Sequence, residues 1–179
     1  MICRKITITK TALIMYLTKY IIYVIIYNKY QKGIYYIMRL WHKNLIHYLP
    51  RQQLLGQWRE CCLIAKNIKE NGTPNHILVN KIIEYPIEHL YTYGKAIYSE
   101  MCCRGYKVDL NKFDKYFDDN KKKLLPMHKI FIDWHNDLYM VICYYNLKEK
   151  YMNNGISEKE WESIYNYLFT IDRIRKRLI

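Results

Sequence analysis

The chain has 179 residues, 51% of them hydrophobic, and a formal net charge of +13. This length suits one domain and hardly two, and the apolar share is enough for a real core. The charge favours a polyanionic partner, nucleic acid first and an anionic membrane surface second, beside the plainer reading of a solubilising surface.

Residues 1–37 differ from the rest. They hold Arg4, Lys5, Lys10, Lys19, Lys29 and Lys32 and no acidic residue, so +6 of the charge lies there and +7 remains for residues 38–179. Within them Thr11–Tyr27 is apolar but short for a membrane span, with Lys19 near its middle and no small-residue cleavage site. Three readings stand: translated upstream sequence with no folded role, a short membrane anchor with basic flanks, or an extra element packed on the domain. The first is preferred, which makes residues 1–37 an extension and residues 38–179 the domain.

From Met38 onward the pattern is helical. Over Arg51–Lys66 the residues Leu54, Leu55, Trp58, Cys61, Cys62 and Ala65 share one face, and Pro50 suits the start. Asn71-Gly72-Thr73-Pro74 is a breaker. A second helix is predicted from about Pro86, burying Ile87, Leu90, Tyr91, Gly94, Ile97, Tyr98, Met101 and Cys102, with Gly105 in the left-handed position after its end. Asn111–Leu125, with Lys121-Lys122-Lys123, reads as a solvated loop. Asn136 or Asp137 caps a third helix to about Lys148. Ser157-Glu158-Lys159-Glu160 is a capping box opening a fourth to about Arg175, whose apolar face is Trp161, Ile164, Tyr165, Leu168 and Ile171. No stretch alternates as a strand does. The prediction is one compact all-α domain with long loops.

The cysteines (Cys3, Cys61, Cys62, Cys102, Cys103, Cys143) include two adjacent pairs and no C-x-x-C. Adjacent helical residues point about 100° apart, which makes no metal fork. Buried thiols in a reducing cytoplasm are the reading, rather than a zinc site or a secreted disulfide framework. The six histidines form no H-E-x-x-H or other metal spacing. His135 leads His135-Asn136-Asp137, which fits a helix cap. Aromatic residues interleave with cations at Trp41-His42-Lys43, Gln57-Trp58-Arg59 and Arg104-Gly105-Tyr106-Lys107, a mixture that suits base stacking with phosphate contact, although aromatics at helical spacing, Trp58 and Tyr98 here, are more often core. Glu60 lies on the flank of the first apolar face beside Arg59. A carboxylate there is partly desolvated yet kept ionised, suited to acid/base work or to steadying a cation; the plainer alternative is a surface pair with Arg51 or Lys66.

Arg39-Leu40-Trp41, followed by the run from Leu49-Pro50-Arg51-Gln52-Gln53-Leu54 to Gly56-Gln57-Trp58-Arg59-Glu60, resembles the pyrimidine-dimer DNA glycosylase family of the phage endonuclease V type, and within it a bacterial branch that opens M-R-L-W-H. Ser99–Asp109 and Trp134–Tyr139 are similar to it too, so the likeness covers most of Met38 to about Tyr151. The resemblance implies an endonuclease V-like helical fold and a DNA-repair glycosylase/AP lyase acting on damaged duplex DNA. Metal and cofactor are not needed, and no obligate protein partner is evident. In the characterised phage enzymes the chain's own α-amine attacks C1′ of the damaged nucleotide, displaces the base and leaves a Schiff base, after which β-elimination cuts the strand. An α-amine suits this because its pKa, about 7.7–8.0, leaves a neutral fraction near pH 7 that lysine, at about 10.4, lacks.

By the same resemblance Glu60 is the carboxylate that steadies the cationic sugar or imine. Arg59 contacts DNA and shapes the site, Arg39 aligns with an arginine near the family's amino terminus, and Gln52 aligns with a DNA-contacting glutamine. The nucleophile would be the amine of Met38 if synthesis starts there; starting at Met1 ties that nitrogen into a peptide bond. The sequence departs from the phage pattern at Gln53, where a histidine is usual, and at Leu63, where another DNA-contacting arginine stands. Two further readings remain: a non-catalytic DNA-binding domain on the same fold, and a membrane-tethered protein using residues 11–27.

Overall fold

The apolar stripe that begins at Leu54 becomes α1, Arg51–Asn71, in the computed structural model, which describes residues 39–178. The chain divides between residues 37 and 38; the extension, including Thr11–Tyr27, lies outside the described residues, as does Met38. Pro50, with its fixed φ and no N–H, opens α1 where no helical donor is needed. Gly72 closes the helix in the left-handed region at φ 71°, its N–H bonded to the Ile68 carbonyl, one turn later than the Lys66 end read from the sequence. Its inner face carries Leu54, Trp58, Cys61, Ile64 and Ala65, and also a glutamine, Gln57.

Next comes α2, Ile87–Cys103, which ends as expected, with Gly105 at φ 79° and the Tyr106 N–H returning to the Met101 carbonyl. It packs mainly on α1. Of the predicted stripe, Leu90, Tyr91, Gly94, Ile97 and Met101 are buried, Ile87 and Tyr98 are partly buried, and Cys102 is exposed. Cys103 is exposed too, while Cys61 and Cys143 are buried, so the reading of uniformly buried thiols is corrected.

The stretch read as a solvated loop is partly core. A short helix, α3, Asn111–Asp114, turns Phe113 into the groove above Gly94, and Phe117 follows it inward. A Cβ at Gly94 would sit 2.2 Å from the Phe113 ring, so only glycine admits that close approach.

Asn136 caps α4, Asp137–Met152, by accepting the Tyr139 N–H. The capping box at Ser157 opens α5, Glu158–Thr170. Here the fourth predicted helix breaks: Ile171 is extended, and α6, Asp172–Leu178, turns back to pack on α4 and α5 with Ile174 buried. Tyr165, assigned to the buried face, is 40% exposed. Glu160 ties two helix starts together, one carboxylate oxygen accepting the Ser157 N–H and the other the Arg51 N–H. No strand occurs among the described residues, as the all-α prediction requires.

Candidate active site

Four consecutive residues, Leu40 to Lys43, are buried ahead of α1 without belonging to any α-helix. Backbone groups taken from water must be bonded, and lacking helical partners these are held largely by side chains. The Arg39 N–H donates to Glu60 Oε2 at 3.3 Å. The Leu40 carbonyl accepts the Tyr139 hydroxyl at 2.7 Å. The Trp41 N–H donates to Gln57 Oε1 at 2.8 Å, and its carbonyl accepts the Tyr93 hydroxyl at 2.7 Å. The Lys43 N–H donates to His135 Nδ1 at 2.9 Å, and His42 Nε2 donates to the His135 carbonyl at 2.8 Å. Side chains from α1, α2 and α4 thus converge on five residues, together with His135 just ahead of α4.

Glu60 stands where this segment emerges. It is half-buried on α1, and Gln57 Nε2 also donates to its Oε2, at 3.2 Å. Burial pushes its carboxyl up to about 7, against the downward pull of the Arg39 N–H and of the Arg39, Lys150 and Arg59 charges. A group so poised exists in both protonation states near neutral pH and suits proton transfer. The surface pairing with Arg51 or Lys66 does not occur: the charges acting on Glu60 are Arg39, Lys150 and Arg59, and Lys66 pairs with Glu70.

Arg39, Arg59 and Glu60 are therefore brought together. The Arg39 guanidinium stacks on Trp41 at 5.4 Å, and its Nη1 is buried without a hydrogen-bond partner. Arg59 is exposed, its Nε donating to the Leu55 carbonyl at 3.3 Å. Gln52 is apart from them, eight residues before Glu60 and so about 12 Å along the helix. It is exposed on the rim of a cleft of about 690 Å³ between Pro50–Gln53 and Tyr151–Glu160.

Gln57, Tyr93, Tyr139 and Lys150 were missed in the sequence. Gln57 left a signal, a glutamine at i+3 from Leu54 on the buried face of α1, and Tyr139 closes the Trp134–Tyr139 stretch that resembles the family. The tyrosines were hidden among 20, and their partners lie 52 and 99 residues away. Asn136 is the cap, as the sequence offered, and His135 ahead of it is buried, its neutral form favoured by burial and by the nearby His42 and Lys43. Lys43 is buried too, its ammonium donating to the carbonyls of His128 and Ile130. Among the described residues no three His, Cys, Asp or Glu side chains gather as a metal site, and no helix is long and apolar enough to cross a membrane.

The model of a family described as pyrimidine dimer DNA glycosylase matches residues 38–114. The match supports the resemblance drawn from the sequence, and it takes in Arg39, Gln52, Gln57, Arg59, Glu60 and Tyr93 but neither His135 nor Tyr139. No curated protein and no solved structure matches the chain.

Proposed function

Residues 38–114 match the pyrimidine dimer DNA glycosylases, and on that premise we propose that the chain is a DNA glycosylase with AP lyase activity. Its substrate is duplex DNA bearing pyrimidine dimers or abasic sites. The observation that carries the reading is the hydrogen bond from the Arg39 N–H to Glu60. A chain whose first residue is 38 holds its α-amine within about 3.6 Å of that nitrogen by covalent connection alone. The nucleophile and the poised carboxyl are then neighbours.

The neutral amine attacks C1′ of the damaged nucleotide, the glycosidic bond breaks with its electron pair leaving on the base, and the proton shed by the now cationic amine neutralises that base. Protonated Glu60 supplies the proton that opens the sugar ring to the imine. As carboxylate, Glu60 then accepts the C2′ proton while the C3′–O bond breaks and the phosphate departs. Its position on both sides of ionisation near pH 7 fits the two roles. The Arg39 and Arg59 guanidinium groups beside it suit phosphate oxygens. A damaged, poorly stacked base is the cheapest to extrude. The steps use only an amine and a carboxyl group, so the proposal requires no metal or other cofactor.

Borohydride trapping on a duplex with one abasic site tests this. Protein beginning at residue 38 is expected to form a covalent adduct that maps to that residue. Glu60→Gln is expected to lower strand cutting at least ~100-fold, in the range that general acid/base catalysis contributes, while duplex binding changes little. Binding with no adduct from the unsubstituted protein would instead favour a DNA-binding module without catalysis. Full activity in Glu60→Gln would remove the carboxyl from the mechanism.

A further inference from the structure

The segment Arg39–Lys43 has its position set by individual side chains rather than by a repeating backbone ladder. Within it the peptide between Leu40 and Trp41 is gripped on both edges, its carbonyl by the Tyr139 hydroxyl at 2.7 Å and its N–H by Gln57 at 2.8 Å. A peptide is a rigid plane, so this grip leaves only the soft dihedrals of Leu40, Arg39 and residue 38 between a fixed plane and the α-amine, and those of Leu40 are restrained by its full burial. Gln57 belongs to α1, the helix of Glu60. Tyr139 comes from the first turn of α4, so its hydroxyl holds the other edge of the plane from a different helix. Leu40 is fully buried, so without that hydroxyl its carbonyl has no water to turn to and the plane must shift to find a donor.

We propose that Tyr139 is a positioning residue of the amine–imine reaction, holding the Leu40 carbonyl and with it the Arg39 N–H that bonds Glu60, the nitrogen through which residue 38 is joined. This rests on the reading given under the proposed function. Tyr139 touches neither sugar nor base in this role and acts through the segment it fixes. Effective positioning is steep in distance, and a displacement of about 1 Å costs on the order of 100-fold in rate. The same displacement takes the amine away from a carboxylate, whose charge otherwise favours the ammonium form and raises the amine's pKa.

The test is the initial rate of cyanoborohydride trapping on an abasic duplex, followed from pH 6 to 9, for protein beginning at residue 38. Residues 38–179 form a compact unit of their own, and the full chain from Met1 is run beside it. Tyr139→Phe keeps the ring and removes one hydroxyl. It is expected to trap about 10- to 100-fold more slowly, with duplex affinity within about threefold and the rising limb of the pH profile moved to lower pH. A mere loss of folded protein scales the rate at every pH and leaves the limb in place.

Equal rates, or a slower rate with an unmoved limb, overturn the proposal while leaving the catalytic reading intact. No adduct from the unsubstituted protein beginning at residue 38, or an adduct mapped to a lysine, overturns the reading and the proposal with it. Tyr93→Phe, which frees the Trp41 carbonyl one peptide further on, is the second variant should Tyr139→Phe not fold. It is expected to move rate and limb in the same directions, and an unmoved limb there also counts against the latch.

Discussion

Glu60 is held in a place where its charge is unwelcome, and the consequence is a stability that runs against function. Its carboxyl titrates at about 7 in the fold against 4.5 ordinarily, because burial outweighs the Arg39 N–H and the neighbouring cations. Between those values the folded chain binds a proton that the unfolded chain has lost. Stability from this group is thus complete below pH 4.5 and falls as pH rises through 7. One unit is worth about 1.36 kcal/mol, and partial exposure reduces the total, so the carboxylate costs roughly 1–3 kcal/mol at pH 8. Glu60→Gln keeps an oxygen for the Arg39 N–H and drops the charge. Thermal unfolding should show it about 2–12 °C more stable than the parent at pH 8, with the gap closing by pH 5. A gap that is the same at both pH values would mean that the carboxyl is not buried in this way. The family pattern made Glu60, Arg59 and Arg39 legible in the sequence. Partial desolvation of Glu60 was legible from its place on the flank of the apolar face; that burial outweighs the neighbouring cations, instead of leaving the group simply ionised, was not, since it depends on the segment that Gln57, Tyr93 and Tyr139 hold beside it.

Elements were legible where the backbone announces its own ends. The Asn136 cap, the Ser157 capping box and Gly105 each mark a boundary that the fold keeps, because each satisfies groups within a few residues. Where a boundary depends on distant packing, reading failed. Asn111–Leu125 looks solvated because Lys112, Lys115 and Lys121–Lys123 dominate it, yet Phe113 and Phe117 are buried against Tyr91. No proline or glycine announces the break at Ile171; it follows from α6 folding back to bury Ile174. The Gly94–Phe113 contact makes the first of these testable. Gly94→Ala puts a methyl 2.2 Å from a fully buried ring that also packs on Trp58 and Phe117. The ring has nowhere to retreat, so overpacking should cost about 1–3 kcal/mol despite alanine's better helix propensity. Phe113→Leu in the same chain should recover part of that loss. A double-mutant cycle in denaturant measures the coupling, and strict additivity would mean that the two residues do not meet.

On the scale of the whole molecule two electrostatic regimes coexist, and they should part under salt. The net +7 of residues 38–179 comes largely from exposed side chains, with Lys43 a buried exception. Phosphate contact there releases counterions, so log affinity falls linearly with log salt, by about 0.9 per phosphate neutralised. Even two contacts give roughly tenfold weaker binding at 200 mM than at 50 mM salt. The cluster of Glu60 with Arg39 and Gln57 is partly withdrawn from solvent, where screening reaches poorly. Its effect on a bound nucleotide should therefore persist in salt that strips the protein from DNA. With protein beginning at residue 38, the half-saturating concentration for trapping on an abasic duplex should rise at least ~10-fold from 50 to 200 mM salt. The rate at saturation should stay within about twofold, as screening of withdrawn pairs is weak. If the saturated rate falls as steeply as the affinity, the chemistry relies on surface charge, and the withdrawn Arg39–Glu60 pair is not its centre. If neither moves, the basic surplus is not what holds DNA, and the contact must rest on neutral hydrogen bonds such as the exposed Gln52 offers.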